Sequence, residues 1–313
     1  MPADRPGPDD RYRCSDAARD RHEPLFATGS IVSAWLLVEV TGAWGHTAAH
    51  DSALGAHVPA GWLDSMKARR IRVVCIRSHA RRGEAGVTLF TCSSRRPGGP
   101  IHRLWRRTVP SLAEVAAAAD ELTAGEEPSP PWTPLDQPIF LVCTNGRHDQ
   151  CCANRGRPLV RVLRDSAWAD RVWESSHVGG DRFAPNLVAL PDSVYFGRVE
   201  PDDGAAVLAA FDGGRLTLDR FRGRTAFSLA EQAVEHFVRA HTGDEAVDSV
   251  RMVGRDQDRR WLTQVGDRTY AVGIRRRLVA VAEPLTCQGA PGRRTPQFTL
   301  RSIEEVTNAG AGR

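Results

Sequence analysis

The run Cys143-Thr-Asn-Gly-Arg-His-Asp-Gln-Cys151-Cys152, followed 25 positions later by His177-Val-Gly-Gly-Asp181, constrains this chain more than any other feature. Soft thiolate donors and an imidazole, each in a loop beside a predicted strand and near glycines, read as a metal or iron-sulphur site rather than a packing motif. A fold that uses them must bring both loops to the same end of a sheet. Each residue also has a plainer reading. Cys143 alone is equally well a small buried hydrophobe, and His177 alone a hydrogen-bonded loop histidine. Asp181 is a ligand, a salt-bridge partner of Arg182 or a loop cap. Gly179 and Gly180 supply backbone freedom that lets positions 177 and 181 face one site.

Composition narrows the class. At 313 residues the chain is long enough for two or three packed units. Its 26% charged and 41% apolar residues fit a globular protein, and no apolar run reaches membrane-spanning length. Met1 to His22 lacks the apolar core of a secretory signal, so a cytoplasmic protein with a mobile tail at 1–24 is expected. Seven cysteines, two adjacent and the others scattered, do not make a secreted disulfide framework. The net charge is only +4, and Lys67 is the sole lysine, with arginine spread along the chain. No basic stripe with interleaved aromatics marks a nucleic-acid surface. The densest cluster, Arg275-Arg-Arg277, reads as a solvated strand edge.

Along the chain, Ser33 to Val40 and Ile71 to Ile76 read as strands joined by a helical pattern from Ala53 to Arg70, a βαβ arrangement implying parallel pairing. Val87 to Thr91 is a further strand, and Ser111 with Glu114 predicts a capping box opening a helix to Leu122. The proline-rich segment Gly125 to Pro134 marks a boundary between a unit at 25–125 and another at 135–215. That second unit reads as strand Pro138–Val142, the cysteine loop, and a helix from Arg157 to Asp165 with Pro158 near its start. Val172–Glu174 then leads into the His177 loop, and strands Asn186–Leu190 and Val194–Val199 form a hairpin, followed by a helix from Asp202 to Phe211. The remainder, 216–313, reads as a helix from Ser228 to His241 and four antiparallel strands, Val247–Val253, Arg260–Val265, Tyr270–Arg275 and Leu278–Val281.

The cysteine run, the stretch Trp173-Glu-Ser-Ser-His-Val-Gly-Gly-Asp-Arg-Phe-Ala-Pro-Asn186 and Tyr195-Phe-Gly-Arg-Val199 together resemble the sucrase/ferredoxin-like family. Trp35-Leu-Leu-Val-Glu-Val40, Trp44-Gly45 and Cys14-Ser15 extend the resemblance over most of the chain. It implies a thioredoxin-like ferredoxin domain, so that with the element order above the expected fold is α/β, this domain flanked by an N-terminal α/β unit and a C-terminal α+β unit. It also implies a [2Fe-2S] cluster held by two cysteines and two histidines. The family's cysteine pair maps onto Cys143 and Cys152, in preference to Cys151, and its first histidine onto His177. The second histidine is replaced by Asp181, a harder and anionic donor that favours the ferric state. Asn145 and His148 stand where the family commonly has histidine and arginine, and neither is an expected ligand.

The expected function is therefore electron transfer with a redox partner protein, neither nucleic acid nor membrane being a partner. A zinc site built from the same donors and a metal-free binding module are the alternatives. Sucrose hydrolysis is not expected, because no carboxylate pair can be assigned as acid and nucleophile. Cys75 and Cys92 read as core residues, while Cys14 and Cys287 have no near partner in the sequence.

Overall fold

The computed structural model describes residues 12–78, 80, 85–99 and 103–306. Helix α1 (Cys14–Asp20) precedes β1 (Ala34–Glu39), three short helices α2 (Ala48–Asp51), α3 (Ala53–His57) and α4 (Trp62–Ala68), and β2 (Ile71–Arg77). Then come β3 (Val87–Ser93), β4 (Leu104–Val109), α5 (Val115–Ala118), β5 (Thr133–Leu135) and β6 (Ile139–Cys143). Helix α6 (Gln150–Leu163) leads to β7 (Val172–Ser175), the hairpin β8 (Asn186–Leu190) and β9 (Val194–Gly197), α7 (Pro201–Asp212) and β10 (Phe221–Arg224). Helix α8 (Leu229–Thr242) and strands β11 (Val250–Arg255), β12 (Trp261–Val265), β13 (Arg268–Val281) and β14 (Arg293–Val306) complete the chain.

Ten strands form one mixed sheet in the order β10-β9-β8-β6-β7-β2-β1-β3-β4-β5, and β11 to β14 form a separate antiparallel meander. The protein is thus mixed α/β. β1 and β2 pair in parallel, as a βαβ connection requires. All six residues of β1 are buried, and they alternate between two cores. Leu36 and Val38 pack with Trp44, Leu54 and Trp62, whereas Trp35 and Leu37 join Ile139, Leu141, Cys143, Cys152 and Trp173 on the opposite face. That second core shows that the sheet curls. In a flat sheet β1 and β9, five steps apart, would lie roughly 24 Å from each other. Yet the Trp35 and Tyr195 rings are 6.4 Å apart and Trp35 Nε1 donates to Ser193 Oγ at 3.1 Å. The curled face encloses the core on which the cysteine loop rests.

Several elements differ from their sequence reading. The segment expected as a mobile tail carries α1 over 14–20, with Cys14, Ser15 and Ala18 buried; residues 1–11 lie outside the described ones. The helix expected from Ala53 to Arg70 breaks around Pro59 and Gly61, where Gly61 takes φ 79°. No capping box forms at Ser111, whose hydroxyl reaches the Glu114 carboxylate at 3.4 Å rather than a backbone N–H; a 3₁₀ turn and the four-residue α5 replace the longer helix. α6 begins seven residues before Arg157, so Pro158 lies inside it rather than near its start. The strands expected at 270–275 and 278–281 are one strand, β13, paired along its length with β14, an unanticipated strand whose run is broken by charges.

Candidate metal centre

β6 and β7 run parallel, with Cys143 opposite Ser175, so the loops after them leave the same end of the sheet. The first loop, 144–149, is tied to the second strand by Thr144 N donating to Ser175 O. It then turns into α6, whose N-cap is Asp149; the carboxylate accepts from Cys151 N at 2.8 Å. Helix α6 approaches β6 closely because residue 156 is glycine, where a Cβ would lie 2.1 Å from the Cys143 carbonyl oxygen. Cys143 and Cys152 are thereby held against each other, 1% and 0% exposed.

The second loop adopts its shape through Gly179 and Gly180, at φ 110° and 82°. Residues far away in sequence hold it. Arg222, fully buried, donates to Gly179 O at 3.0 Å and to Asn186 Oδ1 at 2.7 Å, while Asn186 Nδ2 donates to Gly180 O. Tyr195 donates its hydroxyl to Val178 O at 2.7 Å, and Arg72 donates to His177 O at 2.9 Å. Asn186 and Tyr195 lie inside the stretches that carry the family resemblance. Arg222 and Arg72 sit in strands with no local mark, which is why a sequence reading passes over them.

These loops bring Cys143, Cys152 and His177 together, their ligand atoms within 4.8 Å of one another. Asp181 joins them: the Cys152 thiol donates to its Oδ1 at 3.0 Å, and His177 Nδ1 lies 2.8 Å from the same oxygen. The Nδ1 contact is a close ion pair without an aligned N–H, so His177 Nδ1 has no hydrogen-bond partner among the described residues. Arg182, a candidate partner of Asp181, pairs instead with Glu23 at 2.9 Å. His148, not expected near the donors, stacks on His177 with ring centroids 3.7 Å apart and places Nε2 3.9 Å from Asp181 Oδ2. Cys151 points away from this group and toward Cys287.

The electrostatics follow from burial and these contacts. The neighbouring Cys152 holds the Cys143 thiol well below its ordinary range against the effect of burial, and the neighbouring Cys143 together with burial pushes the Cys152 thiol up. Burial opposes charge on His177, but its contacts with Asp181 and Cys143 outweigh it and raise the imidazole to about 9. Burial likewise opposes charge on Asp181, and contact with His177 lowers its carboxyl nonetheless. Burial and then the neighbouring His177 lower the imidazole of His148.

The donor set suits a metal group. Two soft sulphurs sit beside a nitrogen and a hard oxygen. Two further donors on β7, Trp173 Nε1 and Ser175 Oγ, are buried without a partner among the described residues, and Trp173 packs in the same core as Cys143 and Cys152. Ser175 stands opposite Cys143 in the sheet, and a buried donor left without a partner beside ligand-type residues is open to a bound group.

A family model described as sucrase/ferredoxin-like matches residues 25–223, and the chain belongs to that family. Among solved structures it is similar to a thioredoxin-like [2Fe-2S] ferredoxin from Aquifex aeolicus, at 17% identity over 30% of this chain and 97% of that one, with a TM-score of 0.27. A cysteine-to-serine variant of that ferredoxin matches at 19% identity over 27% and 97% of the two chains, with a TM-score of 0.25. No curated protein matches.

Proposed function

We propose that this protein is an electron carrier whose Cys143, Cys152, His177 and Asp181 hold a [2Fe-2S] cluster, the stretch 135–215 acting as a thioredoxin-like ferredoxin domain. The observation that carries this reading is the convergence of two sulphurs, a nitrogen and an oxygen from two loops at one end of the sheet. The ligand atoms of Cys143, Cys152 and His177 lie within 4.8 Å of one another, and Asp181 Oδ1 stands 3.0 Å from Cys152 Sγ and 2.8 Å from His177 Nδ1. A two-iron cluster needs two ligands on each iron, and this set provides a thiolate pair and a nitrogen–oxygen pair. A cluster bound there supplies one-electron transfer at a potential set by its ligands.

The chain's own residues define the route and the surroundings. The cysteines and Asp181 are buried, whereas the side chain of His177 is 23% exposed, so the imidazole is the donor that reaches the surface. His148 covers its ring face and reduces contact with water. Arg147 and Arg157 line the open cleft beside the 144–148 loop, which suits docking of an acidic redox partner, while Arg77 in the same cleft is paired with Glu174 at 3.0 Å. No helix among the described residues is long and apolar enough to cross a membrane. None of the seven cysteines is joined in a disulfide, which leaves their sulphurs open to ligate.

A zinc site is the second reading, favoured by compactness, since Cys143, Cys152 and His177 all lie within reach of a single ion. Protein purified without oxygen and assayed for iron and acid-labile sulphide decides between them. About two irons and two sulphides per chain support the cluster. Zinc without sulphide, and lost in Cys143→Ser, supports the second reading, and absence of either metal from this site rejects both.

A further inference from the structure

Four groups from three sequence-distant segments meet on the other side of the α6 N-terminus. Cys14 comes from α1, Asp149 and Cys151 from the start of α6, and Cys287 from the loop between β13 and β14. Their ligand atoms all lie within 4.8 Å of one another. Cys151 Sγ is 3.3 Å from Cys287 Sγ, Cys287 Sγ is 3.7 Å from Cys14 Sγ, and Cys14 Sγ is 3.7 Å from both carboxylate oxygens of Asp149. Cys14, Asp149 and Cys151 are buried and Cys287 is half-buried.

We propose that Cys14, Cys151 and Cys287, with Asp149 as fourth donor, form a second metal site that binds a single zinc ion. Sulphurs bound tetrahedrally to one zinc at about 2.3 Å stand roughly 3.8 Å apart, close to the separations observed. A disulfide would need a sulphur–sulphur distance of about 2 Å and would leave the third thiol unpaired in a crowded buried site. The donors do not divide into two pairs, as a two-iron cluster requires; three sulphurs surround one point. Three thiolates select a soft or borderline cation, and zinc accepts a carboxylate as the fourth ligand.

The backbone is arranged for such a site. Asp149 accepts from Cys151 N at 2.8 Å and from Cys287 N at 2.6 Å, fixing both cysteines' main chains around its carboxylate. Tyr12, just before α1, donates its hydroxyl to Pro284 O in the same loop as Cys287. An ion here clips α1 and the β13–β14 loop to the helix that presents Cys152, closing very long loops, where a cross-link removes the most chain entropy. The inference does not depend on what occupies the Cys143 site.

The test is zinc content of the full-length chain purified without oxygen, wild type beside single variants. Roughly one zinc per chain is expected in wild type and in Cys143→Ser, and its loss in Cys14→Ser and Cys287→Ser, with the iron of the first site unchanged in those two. Zinc retained in both of those variants, zinc lost only with Cys143→Ser, or a zinc-free wild-type chain would overturn the assignment. So would a Cys151–Cys287 disulfide found by peptide mass spectrometry of that preparation. Should Cys14→Ser and Cys287→Ser fail to fold by circular dichroism, cobalt(II) titration of the Cys143→Ser/Cys152→Ser chain reports on the second site alone. Tetrahedral cobalt–thiolate absorption is expected, and its absence rejects the site.

Discussion

Cys151 and Cys152 are neighbours in sequence, yet Cys152 reaches Asp181 at 3.0 Å while Cys151 reaches Cys287 at 3.3 Å. Successive residues of a helix are rotated by about 100°, so two adjacent side chains in its first turn cannot serve the same site. The vicinal pair thus divides between two clusters of donors.

This division predicts opposite behaviour of the two thiols. Cys143→Ser and Cys152→Ser should lose most of the iron and visible absorbance of anaerobically purified protein, whereas Cys151→Ser should keep both. Loss of colour in Cys151→Ser with retention in Cys152→Ser would reverse the assignment.

Asp181 should lower the reduction potential of the bound group, because an anionic oxygen stabilises the oxidised iron more than a neutral imidazole does. Asp181→His should therefore raise the potential in a spectroelectrochemical titration while retaining the absorbance. Equal potentials in parent and variant would mean that position 181 does not touch iron.

Glu235 is wholly buried between Arg224 and Arg239, accepting from Arg224 Nε at 3.0 Å and from Arg239 Nη2 at 3.0 Å. Removing the carboxylate leaves two buried guanidinium groups without their shared counter-ion, Arg224 keeping the Val247 carbonyl and Arg239 keeping the Ala246 carbonyl and a longer contact, 3.4 Å, with the Asp244 carboxylate. Glu235→Ala is expected to lower unfolding stability by about 3–5 kcal/mol. Denaturant unfolding measures it, and a loss below about 1 kcal/mol would show that the triad is not held as described.

His236 stacks on Phe26 with centroids 4.0 Å apart, and burial depresses its imidazole to about 4 from the ordinary 6.5. Between those values the unfolded chain binds the proton and the folded chain does not. The contribution of neutral His236 is therefore fully present above pH 6.5 and lost as pH falls toward 4. Wild type should lose roughly 1–2 kcal/mol more than His236→Phe over that interval, allowing for the partial exposure of the ring. Parallel stability curves for the two proteins would refute the buried neutral state.

Short-range information explains what could be read before the fold was known. The apolar runs of β1, β2, β6 and the β8–β9 hairpin are written locally, in unbroken or alternating buried residues, and each lies within a residue or two of its expected limits. The Ser228 cap of α8 is likewise local, its hydroxyl accepting from Glu231 N. The same signal misled at Ser111, where the residues of a capping box are present but the chain closes only a 3₁₀ turn. The start of α6 was hidden because Asp149, Gln150 and two cysteines carry no helical periodicity; capping by Asp149 and packing of Gly156 on Cys143 set it there.

By itself the sequence determined which donors this protein has and how far apart they lie along the chain, Cys143, Cys152, His177 and Asp181 among them, because residue type and spacing need no folding to be read. It also carried the family, whose motifs are contiguous. Only the tertiary structure decided which donors meet. Parallel pairing of β6 and β7 places both loops at one sheet end, and the buried Arg222 shapes the second loop. The rotation of α6 sends Cys151 to the partners Cys14 and Cys287, more than a hundred residues away on either side. Such contacts are set by packing between distant segments, and nothing in the local order of residues encodes them.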